Sequence, residues 1–165
     1  MDAGAKILGH HIHPIAIVFP LGLLSTAVIF EIVYYITDTR TFADVAYWMM
    51  ISGVIGGLVA AVFGLIDWLA IPAGTRAKSV GLMHAGANAA ALLLFFISWY
   101  LRNGQATTEP TTLASVLAFA GFALALAGGW FGGELVERLG IGVHPGANPD
   151  APSSLVKDPL ETQVR

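Results

Sequence analysis

The chain contains no cysteine, so no disulfide braces it and no thiolate can bind a metal. Charge is scarce as well. Asp, Glu, Lys and Arg make up 12% of the residues, against about 25% in an ordinary soluble domain. None of them falls in residues 14–30, 45–66, 79–101 or 110–133. At about 1.5 Å per helical residue, each gap is long enough, or nearly so, to cross about 30 Å of hydrocarbon. Four such helices in a soluble protein would have almost no polar face to turn to water. A formal net charge of −3 offers no basic surface to nucleic acid. P-loop, dinucleotide, nucleophile-elbow and HExxH patterns are also missing, which removes the sequence grounds for nucleotide binding or hydrolysis. The start does not read as a cleaved signal peptide, because its apolar run is too long and no A-x-A-like site follows.

What is present is 56% hydrophobic residues in 165. This composition and spacing predict an all-α integral membrane protein, an antiparallel four-helix bundle spanning residues 15–36, 47–71, 82–101 and 113–135. A histidine-rich segment (1–14) precedes this transmembrane domain (15–135), and a Gly/Pro-rich tail (136–165) follows. Connections of about ten residues, TDTRTFAD, PAGTRAKSVG and RNGQATTEPTT, favour antiparallel neighbours. Pro14 suits the first turn of the first span, while Pro20 lies deep enough to kink it. Small residues recur at spacing four: Gly53, Gly57 and Ala61; Gly56, Ala60 and Gly64; Gly121, Ala125, Gly129 and Gly133. Such stripes let helices pack closely, and a dimer seam or cofactor slot is the sharper alternative.

Up-down topology brings the starts of spans one and three to the same side as the ends of spans two and four. His10, His11, His13, Asp67, His84 and Glu134 therefore collect at one end. Lys6, Arg76, Lys78 and Arg138 lie near that end, and Arg40 and Arg102 near the other. The positive-inside rule then puts both termini in the cytoplasm, in a bacterial inner membrane.

Pro14 pushes His13 toward extended backbone, which would let His11 and His13 act together just ahead of the helix. His84 lies in an apolar run with Asn88 one turn later, where an amide can fix the imidazole's tautomer. Asp67 needs a partner at its depth, and His13, His84, Arg76 and Lys78 are its natural ones. Three chemistries fit. In haem b, His13 and His84 would be axial ligands, with Asn88 beside them. In a non-haem iron, zinc or copper site, ligands would come from His11, His13, Asp67, His84 and Glu134. In a proton-linked carrier of a small solute or ion, His and Asp would exchange protons. The plain alternatives are polar groups satisfied at the interface and a cofactor-free assembly subunit. Glu31 stands apart, toward the other end, facing bundle water or Arg102. His144 in the tail either folds back over the cluster or is incidental, and the Pro-rich remainder reads as an ordered turn followed by disorder.

The pieces HPIAIVFPLGLL, GLIDW, IPAGTRAK, His84 with Asn88, and GGWFGGELVERLGIGV together resemble the bacterial membrane proteins grouped as domain of unknown function 2231, over residues 8–143. The resemblance implies a compact four-span protein with His13, Pro14, Asp67, His84, Asn88 and Glu134 as its polar positions. It further implies kinship with redox-associated membrane modules. On this basis the expected function is electron transfer through a bound haem b or metal. Membrane lipids are the expected surroundings, with a second copy or a redox protein as partner.

Overall fold

The computed structural model describes residues 4–103 and 107–156. A two-stranded hairpin, β1 (Lys6–Ile7) and β2 (His10–His11), leads into α1 (Ile12–Ala16) and α2 (Val18–Thr37). Then come α3 (Arg40–Ala70), α4 (Arg76–Arg102), α5 (Thr112–Gly133) and a π-helical turn at Glu134–Arg138. All four long helical runs are apolar enough to cross a membrane, so this is a multi-pass membrane protein. Their outward faces carry Phe19, Ile29, Leu58, Leu93, Val116 and Leu126 in exposed positions, as lipid requires.

α2, α3 and α4 run further than their charge-free windows. α3 begins at Arg40, so the expected TDTRTFAD linker shrinks to Asp38 and Thr39. Asp38 takes φ 52° there, a left-handed turn that a short polar side chain tolerates. The absence of charge marks the hydrocarbon layer, and a helix continues past that layer into the headgroups. Thr75 and Thr111 cap α4 and α5, each hydroxyl accepting an N–H at 3.2 Å from Lys78 and Ala114 respectively.

The first span breaks where Pro20 predicts. Pro20 has no N–H to give the carbonyl of Ala16, and α1 ends at Ala16. The bonds on either side survive, Ile17 N to His13 O and Leu21 N to Ile17 O, both at 3.0 Å. Pro14 costs no bond, since the first four N–H groups of a helix have no partner within it. His13 is helical, not extended as its proline neighbour suggested.

α2 packs on α3, α3 on α4, and α4 on α5, with α2 closing against α5. The core between them is Leu24, Ala27, Val28, Met50, Val54, Phe95 and Ala118. The two hairpins repeat one another. Buried Pro20, Leu24, Ala27 and Glu31 in α2 correspond, 71 positions later, to buried Ala91, Phe95, Ser98 and Arg102 in α4. Buried Ala46, Tyr47, Met50, Gly53 and Ala60 in α3 correspond, 68 positions later, to Ala114, Ser115, Ala118, Gly121 and Gly128 in α5. Contacts repeat too. A Cβ on Gly53 would meet Leu24 and Leu23, and one on Gly121 would meet Phe95 and Leu94. The bundle is therefore two like hairpins facing each other about its long axis.

Gly53→Val and Gly121→Val should each lower stability by about 1–3 kcal/mol, by overpacking equivalent contacts. Gly22, with nothing within 4 Å of an added Cβ, should accept Val with much less effect. Thermal unfolding in detergent measures all three.

Candidate functional site

His13 sits on the second residue of α1, inside the bundle end. Its Nδ1 lies 2.9 Å from the carbonyl oxygen of Ala60 in α3. A carbonyl only accepts, so Nδ1 carries a proton, and in the neutral ring Nε2 holds the free lone pair. The ring lies where a side chain on Gly64 would be, with Cε1 2.8 Å from the Cβ that glycine lacks.

His84 repeats this arrangement in the second hairpin. Its Nδ1 donates to the carbonyl oxygen of Gly128 in α5 at 2.8 Å. Gly132 leaves room for the ring, 3.2 Å from Cε1 to an added Cβ. In both hairpins the accepting carbonyl stands four residues before the glycine, so carbonyl and gap lie on one helix face one turn apart. The two imidazoles meet across the bundle with ring centres 6.1 Å apart and planes at 87°.

Asn88 has a different part from the one its spacing implied. Its Nδ2 donates to the backbone oxygen of His84 at 2.8 Å, one turn back on α4. It also lies 3.4 Å from His84 Nδ1, but that nitrogen's proton is already directed at Gly128. The helix carbonyl, not the amide, sets the tautomer. The Asn88 amide instead fills the space beside Gly128, where an added Cβ would lie 2.5 Å from Nδ2.

Asp67 and Glu134 stand outside the imidazole pair. The Asp67 carboxylate accepts the Ala5 N–H at 3.3 Å and faces His11 Nδ1 at 3.7 Å. It pins the N-terminal hairpin, whose tight turn uses Leu8 and Gly9 at φ 50° and 82°. Glu134 pairs with Arg76 across the α4–α5 end. Lys78 donates to the Trp68 carbonyl oxygen at 2.7 Å and lies 3.9 Å over its ring. Among the described residues no group of three or more His, Cys, Asp or Glu side chains is placed to hold a metal ion. The end of the bundle thus holds three separate pairs, His13 with His84, His11 with Asp67, and Arg76 with Glu134.

The tail returns over this end. Gly140 and Gly142, at φ 64° and 79°, turn the chain after the π-helical turn. Gly142 then lies beside the His11 ring, and Ser154 Oγ approaches His10 Nδ1 at 3.4 Å. His144 Nδ1 accepts the Gly146 N–H at 3.1 Å. The stretch expected to be disordered continues into residues 157–165, which lie outside the described residues.

Glu31 meets Arg102 as one of its two readings had it, Nη2 to Oε2 at 2.7 Å. Spacing-four small residues flagged tight packing but not the cradles for His13, His84 and Asn88. The signal that finds them is the recurrence of carbonyl and glycine about each histidine in the two hairpins.

Asp67→Ala should free the N-terminal hairpin while helix content stays unchanged. A hydrogen bond to a charged group contributes about 1.5–3 kcal/mol, so trypsin should cut after Lys6 about tenfold faster or more. Nitrogen NMR of the imidazoles should find the Nδ1–H tautomer at His13 and His84. Gly64→Leu should disturb the first and Gly132→Leu the second.

No curated protein and no solved structure matches the chain. A family match does exist, and it covers the four spans together with His10, His11 and His13 and the first part of the tail. Over residues 9–145 the sequence fits the family described as predicted membrane protein (DUF2231), and the chain belongs to it.

Proposed function

We propose that the protein carries one transition-metal centre between His13 and His84, with haem b as the favoured form, and serves electron transfer in a bacterial inner membrane. The observation that supports this most is the matched state of the two imidazoles. Each Nδ1–H is tied to a helix carbonyl, at 2.9 and 2.8 Å, which leaves each Nε2 able to bind metal. Metal-bound histidines are held in this way by a partner on the second nitrogen. Ring centres 6.1 Å apart put the two imidazoles close enough that His13 and His84 would together hold one metal centre, which would supply the one-electron chemistry.

Ligand count favours haem over a bare ion. A lone zinc or iron needs about four protein or water ligands. Asp67, His11 and Glu134, the further ligands a bare ion would draw on, are engaged elsewhere. Porphyrin supplies four nitrogens itself and asks two axial ligands of the protein. Gly64 and Gly132 seat the two rings against the neighbouring helices, which holds both candidate ligands in place. Four short-loop cations near the histidine end against two at the other support cytoplasmic termini.

Protein purified in detergent from cells supplied with iron and haem precursors should show a Soret band at one haem per chain. An oxidised-minus-reduced spectrum should show a reversible change. His13→Ala and His84→Ala should each abolish the band. Stoichiometric metal without a Soret band would replace haem by a bare ion on the same imidazoles. A colourless preparation without metal would overturn the reading and leave the assembly-subunit role.

A further inference from the structure

The bundle has a second polar site on its axis, at the opposite end. Glu31 stands 18 residues after His13, and Arg102 stands 18 after His84. In the unbroken α4 eighteen residues are five turns of helix, so Arg102 lies on the same face as His84, about 27 Å away. Glu31 and Arg102 are also equivalent positions of the two hairpins. Both side chains are fully out of contact with solvent, 0% exposed. Leu24, Ala27, Val28, Met50, Val54 and Phe95 fill the space between the two polar ends.

The ion pair leaves much of its hydrogen-bonding capacity unused. Arg102 Nη2 donates to Glu31 Oε2 at 2.7 Å and to Ser98 Oγ at 3.2 Å. Ser98 Oγ in turn donates to the Ala114 carbonyl at 2.7 Å. Arg102 Nε and Nη1, Glu31 Oε1 and Trp99 Nε1 are buried and have no partner among the described residues. Trp99 precedes Arg102 by three residues, on the same face of α4. A guanidinium has five N–H donors in a fixed fork, and three of them are on Nε and Nη1. With the indole this makes four buried N–H groups and one buried carboxylate oxygen without partners among the described residues. Hydrocarbon cannot satisfy any of them.

We infer that the Glu31–Arg102 pair is an internal water-binding site, holding about two ordered waters that bridge Arg102, Trp99 and Glu31. Two waters accept four hydrogen bonds, one for each free N–H, and donate to both lone pairs of Glu31 Oε1. The pair is neutral as a whole, so it has no excess positive charge to hold an anion. Water supplies both the acceptors that Arg102 and Trp99 lack and the donors that Glu31 lacks, whereas an anion would supply acceptors alone and lie against the carboxylate. This site is independent of whatever occupies the space between His13 and His84.

The test uses the full chain, nitrogen-labelled and folded in lipid nanodiscs. Trp99→Phe and Arg102→Lys assign the Trp99 Nε1–H and Arg102 Nε–H signals. Both protons should show dipolar cross-peaks to water, of opposite sign to exchange peaks, while exchanging slowly with D2O. Titration with chloride or bromide should leave both signals in place. Slowly exchanging protons without a dipolar water contact would mean a dry site and overturn the inference. A saturable halide shift would also overturn it, in favour of an anion. In the apolar double variant Glu31→Leu/Arg102→Leu, the Trp99 water cross-peak should disappear. Its persistence would place that water elsewhere, and the wild-type measurement decides the rest even if this variant does not fold.

Discussion

The polar contacts at the histidine end of the bundle depend on how closely the helix backbones approach. An imidazole reaches from one helix to a carbonyl of its neighbour only where no side chain stands between them. Gly64 provides that gap for His13, Gly132 for His84, and Gly128 admits the Asn88 amide. The carbonyl that accepts from each histidine is already used within its helix, and a carbonyl oxygen has a second lone pair to share. Close approach therefore gives the imidazoles fixed partners without breaking the helix ladder. The same device, with Leu24 on Gly53 and Phe95 against Gly121, sets the packing of the apolar middle.

This packing is written twice. The matched burial of α2 with α4, and of α3 with α5, makes each hairpin present the same face to the other. Equivalent residues meet across the bundle axis, His13 with His84 and Glu31 with Arg102. The outcome differs at the two ends because the residues differ. The two imidazoles each spend Nδ1 on a helix carbonyl and leave Nε2 over. A carboxylate and a guanidinium attract strongly in a low-dielectric interior and hold the hairpins together there. Removing either member alone would leave an uncompensated buried charge, so the pair also discourages any arrangement that separates it.

Much of the architecture was legible from the residues. Four charge-free windows predicted four spans, and four spans are found. Pro20 predicted a break in the first of them, and the helix is interrupted at Ile17. Alternation of the spans correctly brought His13 and His84 to one end, and put Glu31 at the other. Helix ends were read too short, because absence of charge reports the hydrocarbon layer and not the hydrogen-bonded segment. The conformation of His13 was misread because the steric bias before proline is small beside the bonds of a helix it starts.

The sequence by itself determined the class, the number of crossings and which side chains share an end, since these follow from hydrophobic length and chain direction alone. Tertiary structure decided which of those side chains meet. Asp67 went to His11 and the Ala5 N–H, Glu134 to Arg76, and the imidazoles to each other. Rotation of each helix about its own axis makes that choice. Glycine-to-side-chain packing between neighbouring helices and the buried Glu31–Arg102 pair fix that rotation.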